Sequence, residues 1–72
     1  MKKIKKIKIK VNGKFLVINE NLSLSIFLKQ LKIPLKQVAI ELNQEIIDKN
    51  NSSKIKLKKN DKVEVVHFIG GG

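Results

Sequence analysis

Leu24, Phe27, Leu28 and Leu31 recur at i, i+3, i+4 and i+7, a single apolar stripe on a short helix, while strand-like runs make up most of the remainder. One helix with one apolar side can cover one face of one sheet. The chain is therefore expected to form a two-layer α+β domain, with four or five strands and one main helix on one face. Ser23 is placed to cap the helix by accepting a backbone N–H from its first turn. Pro34 disfavours helical geometry at Ile33 and stops the run. All four stripe residues are expected in the core.

The strands follow from period two. Ile7, Ile9 and Val11 alternate with Lys6, Lys8 and Lys10, which describes a half-buried strand with a lysine-covered outer face. Ile4 falls outside that register. Asn12-Gly13 comes next, a strong hairpin signal because both residues tolerate positive φ. Phe15-Leu16-Val17-Ile18 returns as a second strand, apolar on both faces, so its orientation stays open. After the helix, Val38, Ile40 and Leu42 alternate with Ala39 and Glu41. Asn43-Gln44 is a turn, Glu45-Ile46-Ile47 a short return, and 48–53 a polar loop. Ile55 and Leu57 mark a short extended piece, and Lys59-Asn60-Asp61 a turn. The last strand starts at Lys62 or Val63 and runs into Gly70-Gly71-Gly72. Residues 1–69 are expected to be one domain and 70–72 a flexible tail.

Composition removes several function classes. A domain of 72 residues buries only about 60% of the surface its unfolded chain exposes, too little to house a deep catalytic cleft. There is no cysteine, hence no thiolate nucleophile and no disulfide framework. One histidine and six scattered acids do not suggest a metal cage, and no bound cofactor is expected. No apolar run is long enough to span a bilayer, and Met1-Lys2-Lys3 is not followed by the apolar stretch of a signal peptide. A cytoplasmic protein is expected. The formal net charge is +10, carried by lysine alone. Nearly half of the chain is lysine, isoleucine and asparagine, the bias an A/T-rich genome produces. Nucleic-acid readers use arginine for bidentate contacts and aromatics for stacking. This chain has no Arg, Tyr or Trp, so nucleic acid is not the expected partner; an acidic protein surface fits the charge at least as well.

The end of the sequence suggests a different kind of chemistry. Glu64 is expected to face outward, because a buried unpaired carboxylate is costly. Alternation then turns Val66 and Phe68 outward as well, and Val63 and Val65 toward the helix. The exposed pair would form an apolar landing patch beside the tail. His67 has the opposite parity and no triad context. Glycine lacks a Cβ, so Gly70-Gly71-Gly72 makes a thin leash able to enter a narrow channel. The remaining special group is the carboxylate of Gly72. It becomes reactive once ATP adenylates it, and a sulfur nucleophile or an amine can then displace AMP. Gly72 is thus the expected reacting residue, with Val66, Phe68, Ile69, Gly70 and Gly71 meeting a partner. The chain would be a group carrier and co-substrate, not an enzyme.

The same residues carry a family resemblance. Ile9-Lys10-Val11-Asn12-Gly13, Ser23-Leu24 with Phe27-Leu28 and Leu31, Val38 to Asn43 with Glu45-Ile46-Ile47, and Asp61 to Gly72 resemble the ThiS family of bacterial sulfur carriers. The likeness covers nearly the whole chain and is weakest over 48–58. It implies a β-grasp, ubiquitin-like fold with a mixed sheet. It implies an E1-like, ThiF-like adenylyltransferase that uses ATP on Gly72, a sulfur-donating protein, and a ThiG-like thiazole synthase that takes sulfur from the resulting thiocarboxylate for thiamine. Lys59-Asn60-Asp61 stands where the family often has Asp-Gly-Asp, and Asp48-Lys49 where it commonly has a Pro-Arg-like stretch. A MoaD-like carrier for a pathway such as molybdopterin, or a ubiquitin-like modifier of lysines, would share the fold and the Gly-Gly end. A basic nucleic-acid-binding module is the reading from a third class.

Overall fold

The computed structural model describes residues 4–68. Five strands form one mixed sheet: β1 (Lys6–Val11), β2 (Lys14–Asn19), β3 (Val38–Leu42), β4 (Glu45–Ile47) and β5 (Lys62–His67), in the order β2-β1-β5-β3-β4. The β1–β2 and β3–β4 hairpins are antiparallel. β5 lies between them, parallel to β1 and antiparallel to β3. The one α-helix among the described residues, α1 (Leu24–Gln30), contributes Leu24, Phe27 and Leu28 to the core. Against it pack Ile7 and Ile9 of β1, Ile18 of β2, Val38 and Ile40 of β3, and Val63 and Val65 of β5. No helix among the described residues is long and apolar enough to cross a membrane.

The first hairpin closes as its residues require. Asn12 and Gly13 take φ of 47° and 83°, and a two-residue turn with both residues at positive φ matches the twist of the strands it joins. The register sets Ile9 against Leu16 and Ile7 against Ile18. That decides the orientation of β2: Ile18 and Leu16 face inward, while Phe15 and Val17 stand out in solvent at 66% and 63% exposure. The ammonium groups of Lys8 and Lys10 lie over the Phe15 ring, 5.3 and 5.2 Å from its centre. Asn43 and Gln44 close the second hairpin at φ of 51° and 72° with no glycine.

Two expectations change. Leu31 is not in the core; it is the C-cap of α1 and is 40% exposed. The helix ends at Gln30, before Pro34 can act, because Lys32 turns left-handed at φ 58°. The Lys32 N–H then donates to the Lys29 carbonyl and the Ile33 N–H to the Leu28 carbonyl, the paired closure of a Schellman motif. The segment read as polar loop, 48–53, winds instead into a 3-10 helix at Lys49–Lys54. Asp48 accepts from the Asn50 N–H, and the Ser52 hydroxyl donates to the Lys49 carbonyl, so short polar side chains stabilise a turn of their own. The Ser23 cap is present, accepting from the Ile26 N–H at 3.2 Å.

Ile55 to Leu57 passes beneath the start of α1. Leu24 donates its N–H to the Ile55 carbonyl, and Leu57 donates to the Leu22 carbonyl, which drives the Leu57 side chain fully into the core. The turn before β5 holds its shape through Asn60 at φ 71°. Asp61 reinforces it by accepting from the Lys58 N–H and from the Asn43 carboxamide.

Candidate functional site

The site begins with the direction of β5. Val63 and Val65 are buried against the helix layer, and Glu64, Val66 and Phe68 are exposed, Val66 at 49% and Phe68 at 56%. β5 is the central strand, so its outward residues lie in the middle of the open sheet face rather than at an edge. The register extends the patch across the sheet. Val66 stands opposite Ala39, and Glu64 opposite Glu41, which in turn stands opposite Ile46. Residues directly opposite in an antiparallel pair share a face. Ile46, 77% exposed, therefore lies on the same open face as Val66, in the row of Glu41 and Glu64 and diagonal to Ala39. Sequence reasoning did not include Ile46 in that surface: seeing it there requires the β3–β4 register, which the short Asn43-Gln44 turn sets.

Val66 and Ala39 thus form an apolar row with Phe68 at the end of the strand, and the next row holds Glu64, Glu41 and Ile46. Lysines occupy the neighbouring strand, since Lys6, Lys8 and Lys10 project from β1 on the same open face. An apolar centre with a charged rim is the usual anatomy of a protein-binding surface.

Phe68 is anchored on its backbone side. Its N–H donates to the Gln37 carbonyl at 2.9 Å, which extends the β3–β5 pairing one residue past the strand. Gln37 belongs to a short 3-10 turn, Leu35–Gln37, that delivers the chain into β3. His67 lies on the helix side with Val65, where it lines a shallow apolar depression together with Asn12, Leu16, Leu31 and Ile33. This accounts for the partial exposure of Leu31. Of the residues expected to meet a partner, Val66 and Phe68 are outward. Ile69, Gly70, Gly71 and the expected reacting residue Gly72 lie outside the described residues.

The ThiS family model matches residues 5–72. The chain belongs to the ThiS family. Among solved structures, it is similar to the thiamine biosynthesis protein ThiS from Geobacter metallireducens, with 32% identity over 92% of this chain and 100% of that one, and a TM-score of 0.81. No match was found among curated proteins. With a family member superposing over nearly the full length, the two-layer arrangement described above is a β-grasp fold. The exposed end of β5 thus sits on a ThiS-type scaffold.

Proposed function

We propose that this chain is a sulfur carrier protein of thiamine biosynthesis and that its working group is the carboxylate of Gly72. Membership of the ThiS family over residues 5–72 supports this most directly. The similar structure from Geobacter metallireducens, itself named a thiamine biosynthesis protein, supports the pathway. The exposure of Val66 and Phe68, which in sequence lead to the residues that would be activated, suits docking by an enzyme.

In this reading a ThiF-like, E1-like adenylyltransferase docks on the open sheet face and takes up Ile69 to Gly72. A carboxylate oxygen of Gly72 attacks the α-phosphorus of ATP, and pyrophosphate leaves. Hydrosulfide released by a sulfur-donating protein then adds to the acyl carbon, and AMP leaves with the oxygen, so a C–S bond replaces the C–O bond without change of oxidation state. The product is a thiocarboxylate that a ThiG-like thiazole synthase uses as its sulfur source. Glycine suits both displacements, since no side chain shields the carbonyl. Ordering the tail costs about 1–2 kcal/mol per residue, which the enzyme's contacts offset. The chain acts as a co-substrate throughout, and ATP binds the enzyme.

Intact-mass analysis of the protein isolated from its native cell tests this. Oxygen-to-sulfur exchange at the C-terminus is the expected result. Isopeptide adducts on other proteins, with no thiocarboxylate, would overturn it in favour of a protein modifier. Removing Gly72 should abolish sulfur transfer and leave the melting temperature unchanged.

A further inference from the structure

We propose that Lys49 is a positioning residue that fixes the backbone and ring of Phe68 at the end of the central strand. This deepens the carrier reading and rests on it for the activity readout, but not for the structural one.

The β3–β4 register pairs Ile40 with Ile47 and Glu41 with Ile46, so the next position opposite Val38 would belong to residue 49. β4 stops at Ile47, and the backbone turns away into the 3-10 helix at Lys49–Lys54. The Lys49 side chain reaches back to the vacated place. Its ammonium donates to the Val38 carbonyl at 2.7 Å and also to the Leu35 carbonyl. These two carbonyls bracket Gln37, the residue whose own carbonyl holds the Phe68 N–H at 2.9 Å. The same ammonium lies 5.6 Å from the centre of the Phe68 ring.

One cation therefore clamps the turn that carries the acceptor for Phe68 and also attracts the Phe68 ring. An ammonium has three donors and no acceptor, and a cation within about 6 Å of a ring centre is attracted to its face. Two donors are used on main-chain carbonyls, which leaves the third side for the ring. Lys49 is half-buried, so water competes less for it than for the exposed Lys6 and Lys8 of β1. Backbone and side chain of Phe68 are thus held by two linked contacts. A carboxylate that must meet ATP inside an enzyme gains when the strand end that carries it is fixed, because a larger share of the bound complexes then holds the reacting atoms in line.

The test uses the full chain as wild type, K49M and K49R. Methionine keeps the stem and removes the charge and donors; arginine keeps both. The first readout is amide hydrogen exchange at Phe68 relative to Ile9. We expect exchange at Phe68 to quicken about tenfold in K49M, with Ile9 unchanged, and to return toward wild type in K49R. No change at Phe68, or an equal rise at Phe68 and Ile9, would overturn the positioning role; the second result would assign Lys49 to general stability. The second readout is acyl-adenylate formation by a ThiF-like adenylyltransferase with ATP. We expect kcat to fall about tenfold in K49M with KM little changed, and to recover in K49R. A raised KM at unchanged kcat would instead place Lys49 in the docking surface and overturn the proposal. If the wild-type chain is never adenylated, the carrier reading fails, while the exchange at Phe68 still decides what Lys49 does.

Discussion

The carboxamide of Asn12 pairs with both backbone groups of Val65: its Oδ1 accepts from the Val65 N–H at 2.8 Å, and its Nδ2 donates to the Val65 carbonyl at 3.3 Å. β1 has ended at Val11, so a side chain continues the parallel β1–β5 pairing where the backbone has turned away. The same residue holds φ at 47° to make the hairpin. Asn12→Ala removes both bonds and places a Cβ residue without local polar help in left-handed backbone. We expect a loss of about 1–3 kcal/mol in a urea melt. Asn12→Gly should recover only the turn, not the pairing, and fall between the two. If Asn12→Ala melts like wild type, the side-chain pairing contributes nothing.

Lys32 closes α1 in the conformation that glycine adopts most easily. A non-glycine residue there carries a steric penalty of about 1–2 kcal/mol, partly offset because glycine loses more freedom on folding. Lys32→Gly should therefore raise stability by about 0.5–1 kcal/mol, visible as a higher melting temperature. A lower melting temperature would mean that the lysine stem packs in a way its exposure does not suggest.

Glu41 and Glu64 face each other on the open side of the sheet, like charges on directly opposed residues. Such pairs are destabilising by a few tenths to about 1 kcal/mol. Glu41→Gln should stabilise the isolated domain by that amount, with the gain shrinking at high salt. Binding of the activating enzyme, measured on the same variant, should weaken if the pair faces lysines or arginines of that enzyme.

Phe68→Glu should weaken binding to a ThiF-like enzyme at least tenfold while lowering stability by less than about 1 kcal/mol, because the ring is more than half exposed and its backbone bond to Gln37 is retained. Calorimetric titration and a thermal melt on one preparation give the ranking. A large drop in stability with unchanged affinity would return Phe68 to a structural role.

Much of this arrangement was legible in the residues. Alternation at Ile7, Ile9 and Val11, the Asn12-Gly13 pair and the stripe from Leu24 to Leu28 each carry a periodicity that one element alone satisfies. The outward placement of Val66 and Phe68 followed from the charge of Glu64. The orientation of β2 was also recoverable, because a two-residue turn sets Ile18 against Ile7 and so decides its face, although its own pattern is apolar on both. The end of α1 was not. A left-handed lysine leaves no trace in sequence, and Pro34 offered a plausible later stop. The role of Lys49 was equally hidden, since it depends on where β4 ends and on a side chain reaching across to β3. Ile46 joined the outward residues of the open face only once register was known.

The central place of β5 has a consequence for biogenesis. The two hairpins share no ladder with each other; each joins the sheet only through the last strand. On a ribosome they would emerge as separate pieces, and cooperative folding would wait until 62–67 clears the exit tunnel. The same seam makes the fold sensitive to changes in 62–67, since a residue that breaks β5 breaks the link between both hairpins at once. A chain damaged there would expose two unpaired sheet edges, the surfaces on which copies of a chain aggregate.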